Sequence, residues 1–390
     1  EIYTLSLHDA LPIYELIPAV GASELDSVTL DAKWCVDETD FNGQPYTYTV
    51  QEVNGLTANW TKVEAGLLVT NTFKPTPFNQ DGNLVMTKKW VGGRPVNVTF
   101  TLKRTTAGVA GSETVGTYTL TVANATGGDP KVWTEVVPNL NAMDQMGRPY
   151  TYTVEEAPVA NFGTEIDNAT LTVTNTYVVP RAPLQVEINW IGGPATPPAT
   201  SVTVTDNKGN TYTVDFPSGG GTTNTITLPI TDEDGNPLTY KVHQPNVPEN
   251  FTETIDQPGG IQLSEMTPNR LSLTNTYVPP KAEVTATKVW VNGEASVRPT
   301  VWFKLYRNIQ GGPVQEVPLA EAPLVELPDG TVEAKWTGIE LRDHADEPYI
   351  FTVKEVDASG ADYEPANYTK AENGLTVTNT FVPQIGRAHV

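Results

Sequence analysis

At 390 residues the chain exceeds what one hydrophobic core usually serves, which sets an expectation of about two to four domains. A net charge of −22, from 46 acidic against 24 basic residues, argues against nucleic acid and anionic lipid as partners, because phosphate contacts need clustered lysine and arginine. The single cysteine, Cys35, excludes an internal disulfide framework and zinc-binding CxxC spacings, and no apolar run approaches the roughly 18 residues of a membrane-spanning helix.

With 31 glycines, 32 prolines and threonine at alternate positions of several segments, the composition is that of strands and turns. In chain order, residues 1–13 (EIYTLSLHDALPI) read like the in-frame translation of a sequencing-library adapter and are set aside, as are residues 385–390 (IGRAHV). Residues 14–75 are expected to be a repeat lacking its first strands. They hold DAKW at 31–34, PYTYTVQE ending at Glu52 and LLVTNTF ending at Phe73. Residues 80–179 supply a full set: LVMTKKWVGG from Leu84, PYTYTVEE ending at Glu156 and LTVTNTY ending at Tyr177. Residues 182–279 repeat it divergently as LQVEINWIGG, PLTYKVHQ and LSLTNTY, and residues 282–383 as VTATKVWVNG, PYIFTVKE and LTVTNTF. Proline-rich joints, KPTPFNQ, VVPRAP and VPPKAE, separate the repeats and predict semi-rigid spacers. Period-2 alternation with Gly turns predicts an all-β chain of serial antiparallel β-sandwiches, arranged as beads on a string.

Side chains alternate faces along a strand, so apolar parity marks the polar residues that point inward. Lys88 shares its row with Leu84, Met86 and Trp90, and Lys288 shares one with Val284, Ala286 and Trp290, whereas Ile188 fills that slot in the third repeat. Glu156 continues the row Tyr150, Tyr152, Val154, and Glu355 the row Tyr349, Phe351, Val353; Asn175 and Asn379 close two more such rows. A buried amine and carboxyl answer desolvation by moving toward their neutral forms. A neutral lysine beside an asparagine carboxamide is a nucleophile beside an electrophile, and a glutamic acid can shuttle the protons. The third repeat, with Ile188 and Gln244 but also Asn275, is an internal control: nucleophile and proton carrier vanish together.

The motifs TKxW, YTVxE and TNT in this order resemble the B-type repeat domains of Gram-positive collagen adhesins, over residues 14–383. The resemblance implies immunoglobulin-like or prealbumin-like sandwiches with intramolecular isopeptide bonds Lys88–Asn175 and Lys288–Asn379, catalysed by Glu156 and Glu355. No cross-link is expected in the third repeat. It further implies a structural, non-enzymatic stalk of a cell-wall-anchored extracellular protein, its signal peptide and anchor lying outside this chain. No cofactor or metal is expected, and the chain is read as a monomer without nucleic-acid or membrane partner. A host matrix or cell-surface protein would be contacted by regions outside it. Alternatives are a ligand-binding adhesin module, with the third repeat as the contact, and a pilin-type subunit. Lys88 and Asn175 stand 87 positions apart, Lys288 and Asn379 91, so each bond would close almost a whole domain and carry tension past the fold.

Four smaller signals read blandly. The acidic loops from Asp37 and Asp232 are turns rather than calcium loops, LPDGT at Leu327 is a turn rather than a sorting signal, NxT triplets are chance, and Cys35 is an incidental thiol in the slot of Thr134 and Thr337.

Overall fold

The structure, a computed structural model, describes residues 35–52, 58–266, 268–328 and 330–383. The adapter-like segments and the DAKW motif of the first repeat lie outside them. The described chain is all-β apart from two single-turn 3₁₀ segments, and it divides into two compact units, residues 1–177 and 178–390.

In the first unit, the first repeat contributes a hairpin, Trp60–Ala65 against Leu68–Phe73, turned at Gly66. The second repeat is a two-sheet sandwich. One sheet runs Ala125–Thr126, Asp129–Val137, Leu84–Val91, Thr172–Tyr177, Phe162–Asp167; the facing sheet is Glu113–Leu120, Val98–Thr106, Tyr150–Glu156. Leu84, Met86, Phe100, Leu102, Trp133 and Val173 are buried between them. The lysine strand, Leu84–Val91, is central in its sheet, with every second residue buried, as its parity requires.

The second unit holds two further cores. One joins Arg181–Ile191 and Asn269–Tyr277 with Thr200–Asp206 and Thr239–His243; the other joins Lys281–Val291 and Thr376–Phe381 with Val301–Asn308 and Ile350–Val356. In all three sandwiches the first strand pairs in parallel with the last, while the other strand pairs are antiparallel. Alternation fixes which face a residue takes but not which strand lies beside it, so this pairing was not foreseen.

Two local devices shape the ends of the strands. The strands leading to Glu156 and Gln244 are entered through aspartate turns: the Asp144 carboxylate accepts from the backbone N–H of Met146 and Arg148, and that of Asp232 from Asp234 and Asn236. Desolvation pushes the Asp144 carboxyl up, but the Arg148 backbone N–H and side chain together with the Met146 N–H hold it below the usual aspartate range; the Asn236 side chain, then its backbone N–H, does the same for Asp232. In the loops from Asp37 and Asp232, which faintly resemble calcium sites, Asp40 and Asp232 likewise accept backbone N–H groups of their own loops, as turn aspartates do. At the other end, the glycine after the Trp strand is seated on aromatic rings. Gly193 has φ +84°, and a Cβ there would lie 2.5 Å from the Phe251 ring, which packs edge-on to Trp190. Gly193→Ala is thus expected to destabilise the third repeat by roughly 1–3 kcal/mol. Hydrogen exchange along Arg181–Ile191 would register it, and unchanged protection would contradict it.

The joint after Phe73 behaves differently from a spacer. Pro77 bridges Asn141, and Phe78 packs edge-on to Tyr152 at 5.2 Å, so the segment is part of the second repeat's own packing. Its aromatic residue made the difference.

Candidate cross-link sites

The parallel pairing brings lysine and asparagine together. Lys88 is in register with Val173 and Trp90 with Asn175, so Lys88 and Asn175 are diagonal neighbours on the buried face. Lys288 with Val377 and Trp290 with Asn379 repeat the arrangement. The carboxylate arrives from the opposite sheet, where Glu156 pairs with Phe100 and Glu355 with Phe303. Lys88, Lys288, Asn175, Asn379 and Glu355 are buried to 1% exposure or less, and the Glu156 side chain is equally covered.

In the second repeat Lys88 Nζ lies 2.9 Å from Glu156 Oε1 and 3.1 Å from Oε2. In the fourth, Lys288 Nζ is 2.8 Å from Glu355 Oε2, and Asn379 Nδ2 donates to Glu355 Oε1 at 2.9 Å. Each ammonium also sits over its tryptophan ring, at 4.5 Å from Trp90 and 4.2 Å from Trp290. Burial pushes both lysines below the ordinary lysine value, and the neighbouring glutamate opposes that shift without cancelling it. The side-chain carbonyl oxygens of Asn175 and Asn379 accept no hydrogen bond among the described residues. Such an uncompensated buried acceptor is costly, and it is also the oxygen on which charge develops when a nucleophile adds to the carboxamide.

The third repeat keeps the burial and loses the reagents. Ile188 and Asn275 are fully buried, and Gln244, at 1% exposure, donates from Nε2 to Thr200 Oγ1 at 2.6 Å. Neither side-chain polar atom of Asn275 finds a partner among the described residues. In the first repeat Asn71 Nδ2 donates to both Glu52 oxygens, at 3.1 and 3.0 Å, in a more open setting.

Residues 85–176 and 284–380 match the model of the Cna protein B-type domain. These two repeats are Cna protein B-type domains. A collagen adhesin of Staphylococcus aureus is 42% identical over 101 residues, a stretch that is 26% of this chain and 8% of that protein. Among solved structures, two B repeat units of the collagen binding protein of Staphylococcus aureus are similar at 21% identity and TM-score 0.33, over 77% of this chain and 74% of that one. The shaft pilin spaA of Lactobacillus rhamnosus GG is similar at 13% identity and TM-score 0.20, over 53% of this chain and 100% of that one.

Beside the fourth repeat's site lie charged residues that parity alone does not flag. Glu372 Oε1 accepts the backbone N–H of Glu355 at 3.0 Å, and Lys370 Nζ donates to its carbonyl oxygen at 3.4 Å. The available signal was a shared TKxE, TKVE at 61–64 and TKAE at 369–372, on the strand before each TNT strand.

Proposed function

We propose that the chain is a load-bearing stalk segment of an extracellular, cell-wall-attached adhesin, in which the second and fourth repeats staple themselves with Lys88–Asn175 and Lys288–Asn379 amide bonds. The observation that carries this reading is the fourth repeat's buried cluster, where one carboxyl of Glu355 touches both the Lys288 amine and the Asn379 amide. The 42% identity to part of a collagen adhesin supports a surface setting.

The chemistry needs nothing beyond the three side chains. A proton passes within the Lys–Glu pair, leaving a neutral amine and a carboxylic acid, a transfer favoured by burial of both charges. Nζ adds to Cγ of the asparagine while the acid hydrogen-bonds the carbonyl oxygen. The C–Nδ2 bond then breaks. Nδ2 departs as ammonia with one proton that began on the Lys ammonium, the carbonyl re-forms, and the second proton given up by the ammonium stays on Glu, which ends as the neutral acid. Packing holds the reactants in place, so proximity supplies much of the acceleration. Each staple closes a loop of nearly a full domain, which by the loop-closure model stabilises by roughly 4–5 kcal/mol.

Intact-mass measurement of the folded chain is expected to fall short of the sequence mass by two ammonia molecules. Peptide mapping should assign one loss to Lys88 with Asn175 and one to Lys288 with Asn379. A folded chain of full mass would remove the stapling claim and leave the B-type fold untouched.

A further inference from the structure

Within the B-type sites the carboxyl must reach two partners at once, and the repeats differ in whether it does. In the fourth repeat Asn379 Nδ2 donates to both oxygens of Glu355, at 2.9 and 3.2 Å. In the second repeat the Asn175 side chain makes no hydrogen bond among the described residues, although Glu156 is held by Lys88 at a similar distance.

The difference tracks a pair of charges on the neighbouring strand. Glu355 pairs with Phe303 on one side; its backbone N–H is held by Glu372, and its carbonyl accepts from Lys370. Lys370 is itself tied to Glu372 at 3.2 Å and to Asp362 at 2.5 Å, with only 10% of its side chain exposed. The first repeat reproduces this clamp. Glu64 accepts from Glu52 N–H at 2.9 Å, Lys62 donates to the Glu52 carbonyl at 3.0 Å, and the two pair at 2.8 Å. There too the asparagine amide, from Asn71, spans both carboxylate oxygens. In the second repeat the corresponding register positions are Thr164, opposite Asn175, and Ile166, opposite Val173. Neither can clamp.

We propose that Lys370 and Glu372 are positioning residues that fix the Glu355 backbone so that its carboxyl bridges Lys288 and Asn379, and that the fourth repeat consequently closes its cross-link faster than the second. This rests on the stapling reading above. The clamp fixes both backbone groups of the residue whose side chain must not swing, and misplacement of a reacting group by about 1 Å can slow a reaction by about a hundredfold. Lys370 has a second effect. Its positive charge adds, after burial, to what disfavours the protonated form of Lys288, whereas no such cation among the described residues acts on Lys88. The other charged groups around Lys288 are Glu355 from the opposite sheet and Arg298, 5.9 Å over the Trp290 ring; Glu333 and Lys335 on the adjoining strand are exposed.

The test uses the whole chain made by cell-free synthesis. Translation is stopped, samples are quenched over time, and the two cross-linked peptides are quantified by mass spectrometry, so the second repeat serves as reference in every sample. In the unaltered chain the fourth-repeat peptide is expected to appear first. Lys370→Met and Glu372→Ala should slow it by about ten- to a hundredfold, leaving the second repeat's rate unchanged. Lys370→Met should also move the rate's pH midpoint upward, because the amine then holds its proton to higher pH. Lys370→Arg should restore rate and midpoint, and Glu372→Gln, which keeps an acceptor for the Glu355 N–H, should restore most of the rate; a merely structural role predicts neither. Variants that close the fourth repeat at the unaltered rate and pH midpoint overturn the clamp alone. Absence of both cross-linked peptides from the unaltered chain overturns the stapling reading and the clamp with it.

Discussion

Glu355→Gln is expected to yield a fourth repeat that folds but keeps its ammonia. The substitution preserves shape and the hydrogen bond to Asn379, and removes the carboxyl that takes a proton from Lys288 and returns it to the leaving nitrogen. The amine, already pushed below its ordinary value by burial, then has no carboxylate holding it charged and settles further toward neutrality. Nucleophile and electrophile would therefore both be present and the reaction still stall, which separates proton transfer from mere proximity. The stability lost is the loop-closure contribution, roughly 4–5 kcal/mol by the same model. Hydrogen exchange on the Lys281–Val291 strand should register it, and peptide mapping should find the second repeat's bond intact. Full cross-linking of the fourth repeat in the Glu355→Gln variant would deny Glu355 its role.

The second large effect is expected in the third repeat, which has the acceptor without the reagents. Ile188→Lys alone puts an ammonium at a fully buried position where Gln244 offers no charge, and should destabilise that repeat by about 3–5 kcal/mol. Adding Gln244→Glu should reverse the loss and go beyond it. Ile188 is in register with Leu273 and Trp190 with Asn275, the same offsets that relate Lys88 to Val173 and Trp90 to Asn175. The double variant should thus shed one further ammonia. If the double variant is as unstable as the single one and retains full mass, register and burial do not suffice to make the site.

The fold class and the inward rows of Lys88, Glu156 and Asn175 were legible because two-residue alternation in an apolar row leaves a polar residue conspicuous. The same logic hid Lys370 and Glu372. A charged pair on an alternating strand reads as solvent-facing, and only the geometry shows that its partner is the backbone of Glu355. Neighbour relations between distant strands were equally silent, since nothing local in Leu84–Val91 or Thr172–Tyr177 announces a parallel partner. Phe78 is hidden for a simpler reason: the prolines before it suggest a spacer, while its ring is packed against Tyr152.

The parallel pairing of first and last strands has a mechanical meaning of its own. The chain enters at one end of the pair and exits at the opposite end, so pulling the termini apart slides the strands lengthwise and strains every rung of the ladder together instead of unzipping them singly. In the third repeat that ladder runs from Leu184 to Ile191 against Asn269 to Thr276, longer than the Thr87–Val91 and Thr287–Val291 ladders of its neighbours. The domain without an amine–carboxamide pair is the one with the most backbone rungs in shear.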